Sequence, residues 1–206
     1  MKVLVVASQK GGVGKTTLTG RLGVEAGCIG AGPVALLDTD PQGSLAAWWN
    51  ERKADLPVYV IAELGRLTEQ LAELAVAGIK LCIIDTPPAL NETIQAVLKV
   101  ADLVLIPTRP SPHDLRAVGA TVELVQAAGK RMVFVVNGAT PRARITADAA
   151  IALSQHGTVA PVILYQRIDF AASMIDGRTA GELDARSKSG MEISELWKYV
   201  NTQLRK

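Results

Sequence analysis

The chain has 206 residues, of which 49% are hydrophobic and 20% charged, with a formal net charge of +2 and a mean hydropathy of +0.23. This length suits one domain, residues 1–206, with a well-buried core. Every apolar run is interrupted well short of the roughly 20 residues that span a bilayer, which excludes a membrane-spanning protein. No secretory leader precedes the first apolar run, so we expect a cytoplasmic protein.

The distribution of charge indicates the kind of partner, and the cysteine content indicates the state of the thiols. Residues 1–129 carry a net charge of −2 and residues 130–206 carry +4. A basic C-terminal third is a mild indication of a polyanionic partner, although a solvated surface explains it as well. Cys28 and Cys82 each lack a second cysteine at ligand spacing, so we predict two buried, reduced thiols.

The first predicted elements enclose a glycine-rich string. An apolar run predicts a strand over residues 2–7, and a helix is expected from Thr16 to about Gly30. Between them lies KGGVGKTT, residues 10–17, and a glycine-rich turn between a strand and a helix is a phosphate-binding arrangement. The residues expected to contact a nucleotide here are Gly11, Gly12, Val13, Gly14, Lys15, Thr16 and Thr17. Lys15 would reach the β- and γ-phosphates, and Thr16 would offer its hydroxyl to Mg²⁺.

The string departs from the general phosphate-loop pattern at one position. Gln9 stands where that pattern has its first glycine, and a second lysine, Lys10, follows it. Lys10 is either a solvated surface charge or a second cation aimed at a nucleotide. The form KGGxGKTT resembles the deviant Walker A motif of the ParA/MinD family. That resemblance implies that Lys10 crosses a dimer interface to a nucleotide held by another subunit.

The second strand is expected over residues 33–38 and ends in DTDPQG, residues 38–43. Ligands of open α/β sheets bind beyond the carboxyl ends of strands, so these carboxylates should face the same crevice as the glycine-rich loop. The segment could also be an ordinary turn, since Asp and Pro favour turns. It resembles the second motif of the family, which implies that Asp40 orients the attacking water. Asp38 would serve the water shell of the metal or the geometry of the loop.

Helix, strand and helix are predicted next, over residues 44–51, 58–61 and 64–76. Trp48 and Trp49 are adjacent, so they cannot share one helix face. One should pack inward while the other lies at an edge or interface.

The fourth strand, expected over residues 81–85, ends in Asp85 and is followed by Thr-Pro-Pro. An apolar run ending in one Asp is the Walker B arrangement, in which the carboxylate holds Mg²⁺ through water. The string IIDTPP resembles the family's D-x-P-P segment. Thr86 and the two prolines would then form a stiff segment near the γ-phosphate.

A helix over residues 91–100, a strand over 103–106, a proline-rich loop over 107–114 and a helix over 115–128 complete the middle of the chain. The loop resembles the family's P-x-x-P-S-x-x-D segment, which lies at the dimer face. His113 has no partner at ligand spacing and is expected to be solvated. The sixth strand is expected over residues 131–136, ending in Asn137, which resembles the adenine-contacting residue of the family; a turn Asn is the alternative.

The C-terminal third is expected to hold a helix over residues 141–156, a strand over 159–164, a short helix beginning near Arg167 and a last helix from about Gly190. The resemblance implies non-specific DNA contacts by basic residues in this half, although each could be an ordinary exposed cation. The candidates are Arg142, Arg144, Arg167 and Lys188.

The last helix has an apolar stripe with charges opposite, and the stripe comprises Ile193, Leu196, Trp197, Val200 and Leu204. Such a helix anchors MinD relatives to membranes. Here packing on the fold is favoured, because this helix lies where the sheet needs its last cover and its polar face carries Glu192 and Glu195.

The alternation of strands and helices predicts an α/β three-layer sandwich, a mainly parallel sheet flanked by helices. The resemblance covers nearly the whole chain and points to the short, ParF-like kind of ParA protein, without an N-terminal helix-turn-helix extension. It implies a weakly active Mg²⁺-dependent ATPase that dimerises on ATP and binds DNA on the nucleoid. A ParB-like or other cargo-adaptor protein would stimulate it to segregate or position plasmid, chromosome or other cargo.

Three other functions stay open on the sequence. The first is a MinD-like membrane-surface positioning ATPase. The second is a redox or metabolic relative, although Cys28 and Cys82 do not supply the bridging cysteines of the nitrogenase iron protein. A biotin-pathway synthetase would need a small-substrate pocket, which the sequence neither shows nor excludes. The third is a nucleotide-gated scaffold that barely hydrolyses ATP.

Overall fold

A parallel sheet forms the centre of the fold in the computed structural model, which describes residues 1–88 and 92–206. The strands β1 to β8 of the described residues are Lys2–Val6, Val34–Asp38, Val58–Ile61, Leu81–Asp85, Leu103–Thr108, Met132–Ala139, Thr158–Val159 and Leu164–Tyr165. Their order across the sheet is β3-β2-β4-β1-β5-β6-β7, and β8 pairs with β6. Every pairing among them is parallel.

Helices cover both faces of this sheet. In chain order α1 to α9 are Lys15–Cys28, Ser44–Asn50, Leu67–Val76, Glu92–Val100, Pro112–Ala127, Arg144–Ser154, Ile168–Ala172, Ala180–Leu183 and Lys188–Leu204. Two 3-10 turns, Leu64–Arg66 and Ser173–Asp176, join neighbouring elements. Among the described helices, none is both long enough and apolar enough to cross a membrane.

The two faces of the sheet bury two separate cores. Alternate residues of β1 point to opposite faces, so Leu4 packs with the core under α1 and α9 while Val5 packs with the core under α4 and α5. Strands buried on both faces read as continuous apolar runs, which is what the sequence shows. The predicted three-layer sandwich with a mainly parallel sheet is therefore confirmed.

The sixth strand is longer than predicted, and the predicted strand over residues 159–164 is wrong. β6 continues to Ala139, so Asn137 lies within a strand and not after it. Pairing with β5 stops at Val136, and a bulge at Gly138, whose φ is +65°, lets β8 pair with the rest of β6. Between β7 and β8 stands Pro161, which cannot donate to a ladder, so two short strands replace one.

Several helices begin at other residues than the sequence suggested, among them α5, α6 and α9. α5 begins at Pro112 because the Ser111 hydroxyl accepts a hydrogen bond from the backbone N–H of Asp114 at 3.1 Å, so the predicted loop is shorter. The Ser187 hydroxyl caps α9 in the same way, because it accepts a hydrogen bond from the backbone N–H of Gly190 at 3.0 Å. α6 begins only at Arg144. The predicted helix start at residue 91 lies outside the described residues.

Two side-chain predictions have opposite outcomes. Trp48 is buried, and Trp49 lies half-buried against Tyr59, as two adjacent tryptophans on one helix require. Cys82 is buried, but Cys28 is exposed, so the prediction of two buried thiols is wrong for Cys28. Cys28 is the last residue of α1, where the helix leaves the sheet.

The apolar stripe of α9 packs into the core, as predicted. All five of its members belong to the core under α1 and α9, and Trp197 is 1% exposed. In this fold the stripe is therefore covered by protein and not presented to a surface.

We predict that Trp197→Ala lowers the free energy of unfolding by about 3–5 kcal/mol, because it leaves a large cavity in that core. Urea unfolding followed by circular dichroism measures the change. Met191→Ala is the matched control, since Met191 lies on the same helix with 47% of its surface exposed, and its effect should stay within about 0.5 kcal/mol. Equal midpoints for the two variants would contradict the packing of α9.

Candidate functional site

The phosphate loop, residues 10–17, follows β1 and runs into the first turn of α1 at the carboxyl edge of the sheet. Gly12 and Gly14 have φ angles of +73° and +93°, in the left-handed region that favours glycine. No described side chain caps α1, whose first residue is Lys15. The backbone N–H groups of its first turn are therefore available to an anion.

Gly14 is also a point of close approach. A Cβ built on Gly14 would lie 2.4 Å from the side-chain nitrogen of Asn137, Nδ2. That same nitrogen donates a hydrogen bond to the carbonyl oxygen of Val13 at 2.6 Å. Asn137 thus packs directly on the phosphate loop, although 124 residues separate it from Val13.

The two lysines of the loop lie in different environments. Lys15 is 7% exposed, and its Nζ donates to the carbonyl oxygen of Lys10 at 3.4 Å. Burial lowers the pKa of Lys15, while the charges of Asp85 and Asp40 act in the opposite direction. Lys10 is exposed, and its side chain has no ion-pair partner among the described residues. Lys15 therefore points into the site, and Lys10 remains free to reach outside it.

Asp85 lies at the centre of the carboxyl edge. It ends β4, in register with Val6 of β1 on one side and Asp38 of β2 on the other. The Thr16 hydroxyl donates to its Oδ2 at 2.6 Å. Burial raises the pKa of Asp85 to about 7, against the effect of the Thr16 hydrogen bond and with a further contribution from the charge of Asp38.

Asp38 is also buried, with 5% of its surface exposed, and backbone and side chains both hold it. Its Oδ1 accepts from the backbone N–H of Asp40 at 3.0 Å, and its Oδ2 accepts from the Tyr59 hydroxyl at 3.3 Å. Burial raises the pKa of Asp38, and these hydrogen bonds oppose the shift. Asp40 is half-exposed, and its Oδ1 accepts from the backbone N–H of Gln42 at 3.0 Å.

These side chains fit a magnesium ion bound with a nucleotide. The described residues contain no cluster of three or more His, Cys, Asp or Glu side chains that could hold a metal by themselves. Mg²⁺ at phosphate sites is bound through one or two carboxylates, with water and phosphate as its other ligands. Burying two carboxylates in neighbouring register is unfavourable unless a positive charge lies close to them. The Thr16 hydroxyl and the Asp85 carboxylate are adjacent and could both contact such a cation.

The segment after β4 lies against the phosphate loop. Thr86 is buried, and its hydroxyl donates to the carbonyl oxygen of Val6 at 2.9 Å. A Cβ on Gly11 would lie 3.9 Å from Cβ of Pro88. The segment that follows Asp85 therefore packs on the residues that precede and form the loop.

A pocket of about 270 Å³ opens beside the phosphate loop. Its lining is Gly14, Thr17, Leu18, Arg21, Arg109, Asn137, Gly138, Tyr165, Gln166, Arg167, Phe170, Ala171 and Met174. The buried Arg21 stacks on the Phe170 ring at 4.0 Å and donates to the carbonyl oxygen of Phe170, so α1 holds α7 against the pocket. Sequence reasoning missed Arg21 and Arg109, because only the fold brings them beside Asn137.

The four basic candidates differ in their exposure and in their partners. Arg142, Arg144 and Lys188 are exposed. Arg167 is half-buried, pairs with Glu192 and lines the pocket beside the phosphate loop. Its charge is thus partly neutralised by an acid of α9, whereas the other three keep theirs at the surface.

Comparison with known proteins identifies the same kind of domain. Residues 4–180 match the family of CobQ/CobB/MinD/ParA nucleotide binding domains. The chain is 32% identical to the maintenance of carboxysome distribution protein A of Halothiobacillus neapolitanus, over 96% of this chain and 95% of that protein. It is also 32% identical to protein ParA of Rhizobium radiobacter, over 61% of this chain and 56% of that one.

Solved structures share the fold at lower identity. An ATP complex of McdA from Cyanothece superposes with a TM-score of 0.76 at 20% identity, covering 100% of this chain and 96% of that one. The septum site-determining protein MinD of Pyrococcus horikoshii, complexed with Mg-ADP, superposes with a TM-score of 0.80 at 17% identity, covering 97% and 96%. At these identities the superpositions establish the fold alone.

We predict that Gly14→Ala lowers the free energy of unfolding by about 1–3 kcal/mol, because it forces a side chain into a left-handed conformation and against Asn137. Gly119→Ala is the control, since Gly119 lies in α5 with open space at its Cβ and should gain up to about 1 kcal/mol in helix propensity. Chemical denaturation measures both. A Gly14→Ala chain as stable as the parent would contradict the geometry of the loop.

We predict that Asp85→Asn stabilises the nucleotide-free chain at pH 8, by an amount on the order of 2 kcal/mol. The folded pKa of Asp85, about 7, lies above the unfolded value of 3.8, so the parent should lose stability relative to the variant as the pH rises between these values. Denaturation midpoints of both proteins from pH 4 to pH 8 measure the difference. A difference that does not grow with pH would contradict the raised pKa of the buried Asp85 carboxyl.

Proposed function

The chain belongs to the CobQ/CobB/MinD/ParA family of nucleotide-binding domains, and from this premise we propose that it is a ParA-type positioning ATPase. It binds ATP with Mg²⁺, closes into a homodimer and holds DNA without sequence preference. A cargo-adaptor protein stimulates hydrolysis, which opens the dimer and releases the DNA. The protein thereby acts on the nucleoid to position a plasmid, a chromosome or a large protein assembly.

The observation that carries this proposal is that one loop holds two lysines in different environments, the buried Lys15 and the exposed Lys10. Lys15 points into the site, where Thr16 bonds Asp85, while Lys10 is exposed at the mouth. A lysine whose ammonium makes no ion pair within its own subunit can contact the phosphates of a nucleotide held by another subunit. Similarity over nearly the full length to a carboxysome distribution protein supports a positioning role.

Each residue of the site has a definite task in this proposal. The backbone of Gly11–Gly14 and the Lys15 ammonium hold the phosphates. Thr16 and Asp85 hold Mg²⁺, which supplies charge neutralisation when bound, and Asp38 supports its water shell or the loop. Asp40 is half-exposed and orients the attacking water. Asn137 contacts the base through its amide, at the pocket beside the loop.

The DNA contacts come from the basic C-terminal third. The residues proposed to contact DNA phosphates are the exposed Arg142, Arg144 and Lys188. Arg167 is a weaker candidate because it pairs with Glu192. A few phosphate contacts give weak binding in one subunit, and a dimer doubles them on one surface. ATP-dependent closure therefore switches DNA affinity, and added salt weakens it.

The membrane-surface alternative has less support. The apolar stripe of α9, which such an anchor would use, is buried in the core. Binding to lipid vesicles in place of DNA would decide against the proposal.

The proposal predicts ATP-dependent dimerisation and DNA binding that both require Lys10. With Mg²⁺ and a slowly hydrolysed ATP analogue, the parent should elute as a dimer with light-scattering detection, and with ADP as a monomer. The dimer should bind a random-sequence 60-base-pair duplex in fluorescence anisotropy. Lys10→Ala should stay monomeric and lose at least tenfold in DNA affinity, because the second subunit no longer joins the first.

Lys80→Ala is the matched control, because Lys80 is exposed and precedes β4 at the opposite end of the sheet. It should dimerise and bind DNA like the parent. Replacing both Arg142 and Arg144 by Ala should weaken DNA binding at unchanged dimerisation. A parent chain that stays monomeric with the analogue, or that binds anionic vesicles and not DNA, would refute the proposal.

A further inference from the structure

The Tyr59 hydroxyl is the one side-chain donor that the described residues provide to Asp38. We propose that Tyr59 is a positioning residue for ATP hydrolysis, which acts by fixing Asp38 and, through it, the segment DTDPQG, residues 38–43. This inference rests on the proposed ATPase function. It adds a residue outside the nucleotide motifs, on the edge strand β3, to the residues that govern turnover.

Asp38 connects three parts of the chain through its carboxylate. Its two oxygens accept from the backbone N–H of Asp40 and from the Tyr59 hydroxyl, and the backbone N–H of Ala46 also favours its charged form. Ala46 lies in the first turn of α2. Asp38 therefore ties the end of β2 to the turn at Asp40, to the start of α2 and to β3.

The Tyr59 side chain is itself held in place. Its ring stacks on Trp49, with centroids 5.5 Å apart and an interplanar angle of 27°. Trp49 in turn donates from Nε1 to the carbonyl oxygen of Pro57 at 2.9 Å, which fixes the indole against the residue before β3. With both rings fixed, the hydroxyl has little freedom to leave Asp38.

The orientation of Asp38 determines the backbone at Asp40. Both bonds are made by one rigid carboxylate group, so the direction of Oδ2 toward Tyr59 sets the direction of Oδ1 toward the Asp40 N–H. If the hydroxyl is removed, the buried Oδ2 loses a donor, and the carboxylate can rotate to satisfy it elsewhere. The Asp40 carboxylate, proposed to orient water, would then lose its fixed place.

Tyr59 lies outside the pocket beside the phosphate loop. It makes no described hydrogen bond to Lys15, Thr16 or Asp85. Removal of the Tyr59 hydroxyl should therefore change the rate of the chemical step and not the binding of ATP. A role confined to packing would leave both the rate and the stability of Tyr59→Phe unchanged, because the ring and not the hydroxyl makes the contact with Trp49.

Tyr59→Phe tests the inference, since it removes the hydroxyl and keeps the ring. Steady-state ATP hydrolysis with Mg²⁺ should show kcat reduced about five- to tenfold at a KM within twofold of the parent, as loss of one hydrogen bond to a charged group implies. The urea midpoint should fall by no more than the loss of this one hydrogen bond implies, so the variant should remain fully folded under the assay conditions. Tyr199→Phe is the matched control, because Tyr199 is half-buried on α9, and its kcat should not change.

The outcomes separate this inference from the proposed function. If the parent hydrolyses ATP and Tyr59→Phe has the same kcat, the positioning role of Tyr59 is refuted while the ATPase function stands. A variant with unchanged kcat and raised KM, or with a loss of stability that accounts for its lost activity, refutes it as well. A parent without ATP hydrolysis refutes the proposed function and this inference together.

Discussion

The site depends on two buried carboxylates that stand side by side at the carboxyl edge of a parallel sheet. Asp38 and Asp85 are register partners on adjacent strands, and burial raises the pKa of both. Such an arrangement destabilises the chain without a ligand, because Lys15 is the only described residue whose positive charge acts on Asp85. The lower stability is consistent with a site that is completed by a cation and a polyphosphate. Functional sites in proteins commonly lower the stability of the free chain.

The sheet can hold these groups because it is buried on both faces. β1, β2 and β4 lie next to one another with fixed register, so their last residues cannot shift independently. The segments that follow these strands are less constrained by the core, and hydrogen bonds fix them instead. Thr86 bonds back to β1, and Asp38 bonds forward to Asp40. The rigid part of the site thus carries the groups proposed to bind phosphate and metal, whereas the hydrogen-bonded part carries the group proposed to orient water.

The pocket proposed to hold the base is assembled from distant parts of the chain. Arg21 of α1 holds α7 through Phe170, and Asn137 bonds the phosphate loop from β6. Arg167 faces this pocket while paired to Glu192 of α9. A nucleotide in the pocket would therefore contact elements that are anchored on the last helix, which offers a physical connection between the nucleotide and the basic C-terminal third.

The sequence by itself determined the sheet architecture, the phosphate loop and the strand-end carboxylates, because buried parallel strands and glycine-rich turns have local patterns. It also identified the buried stripe of α9, whose period is that of a helix. Only the tertiary structure decided the bulge at Gly138, the division of the predicted strand over residues 159–164, and the exposure of Cys28. It also decided the partners of Asp38 and the place of Arg21, Arg109 and Arg167. These features depend on contacts between residues far apart in the chain, which leave no local pattern from which they could be predicted.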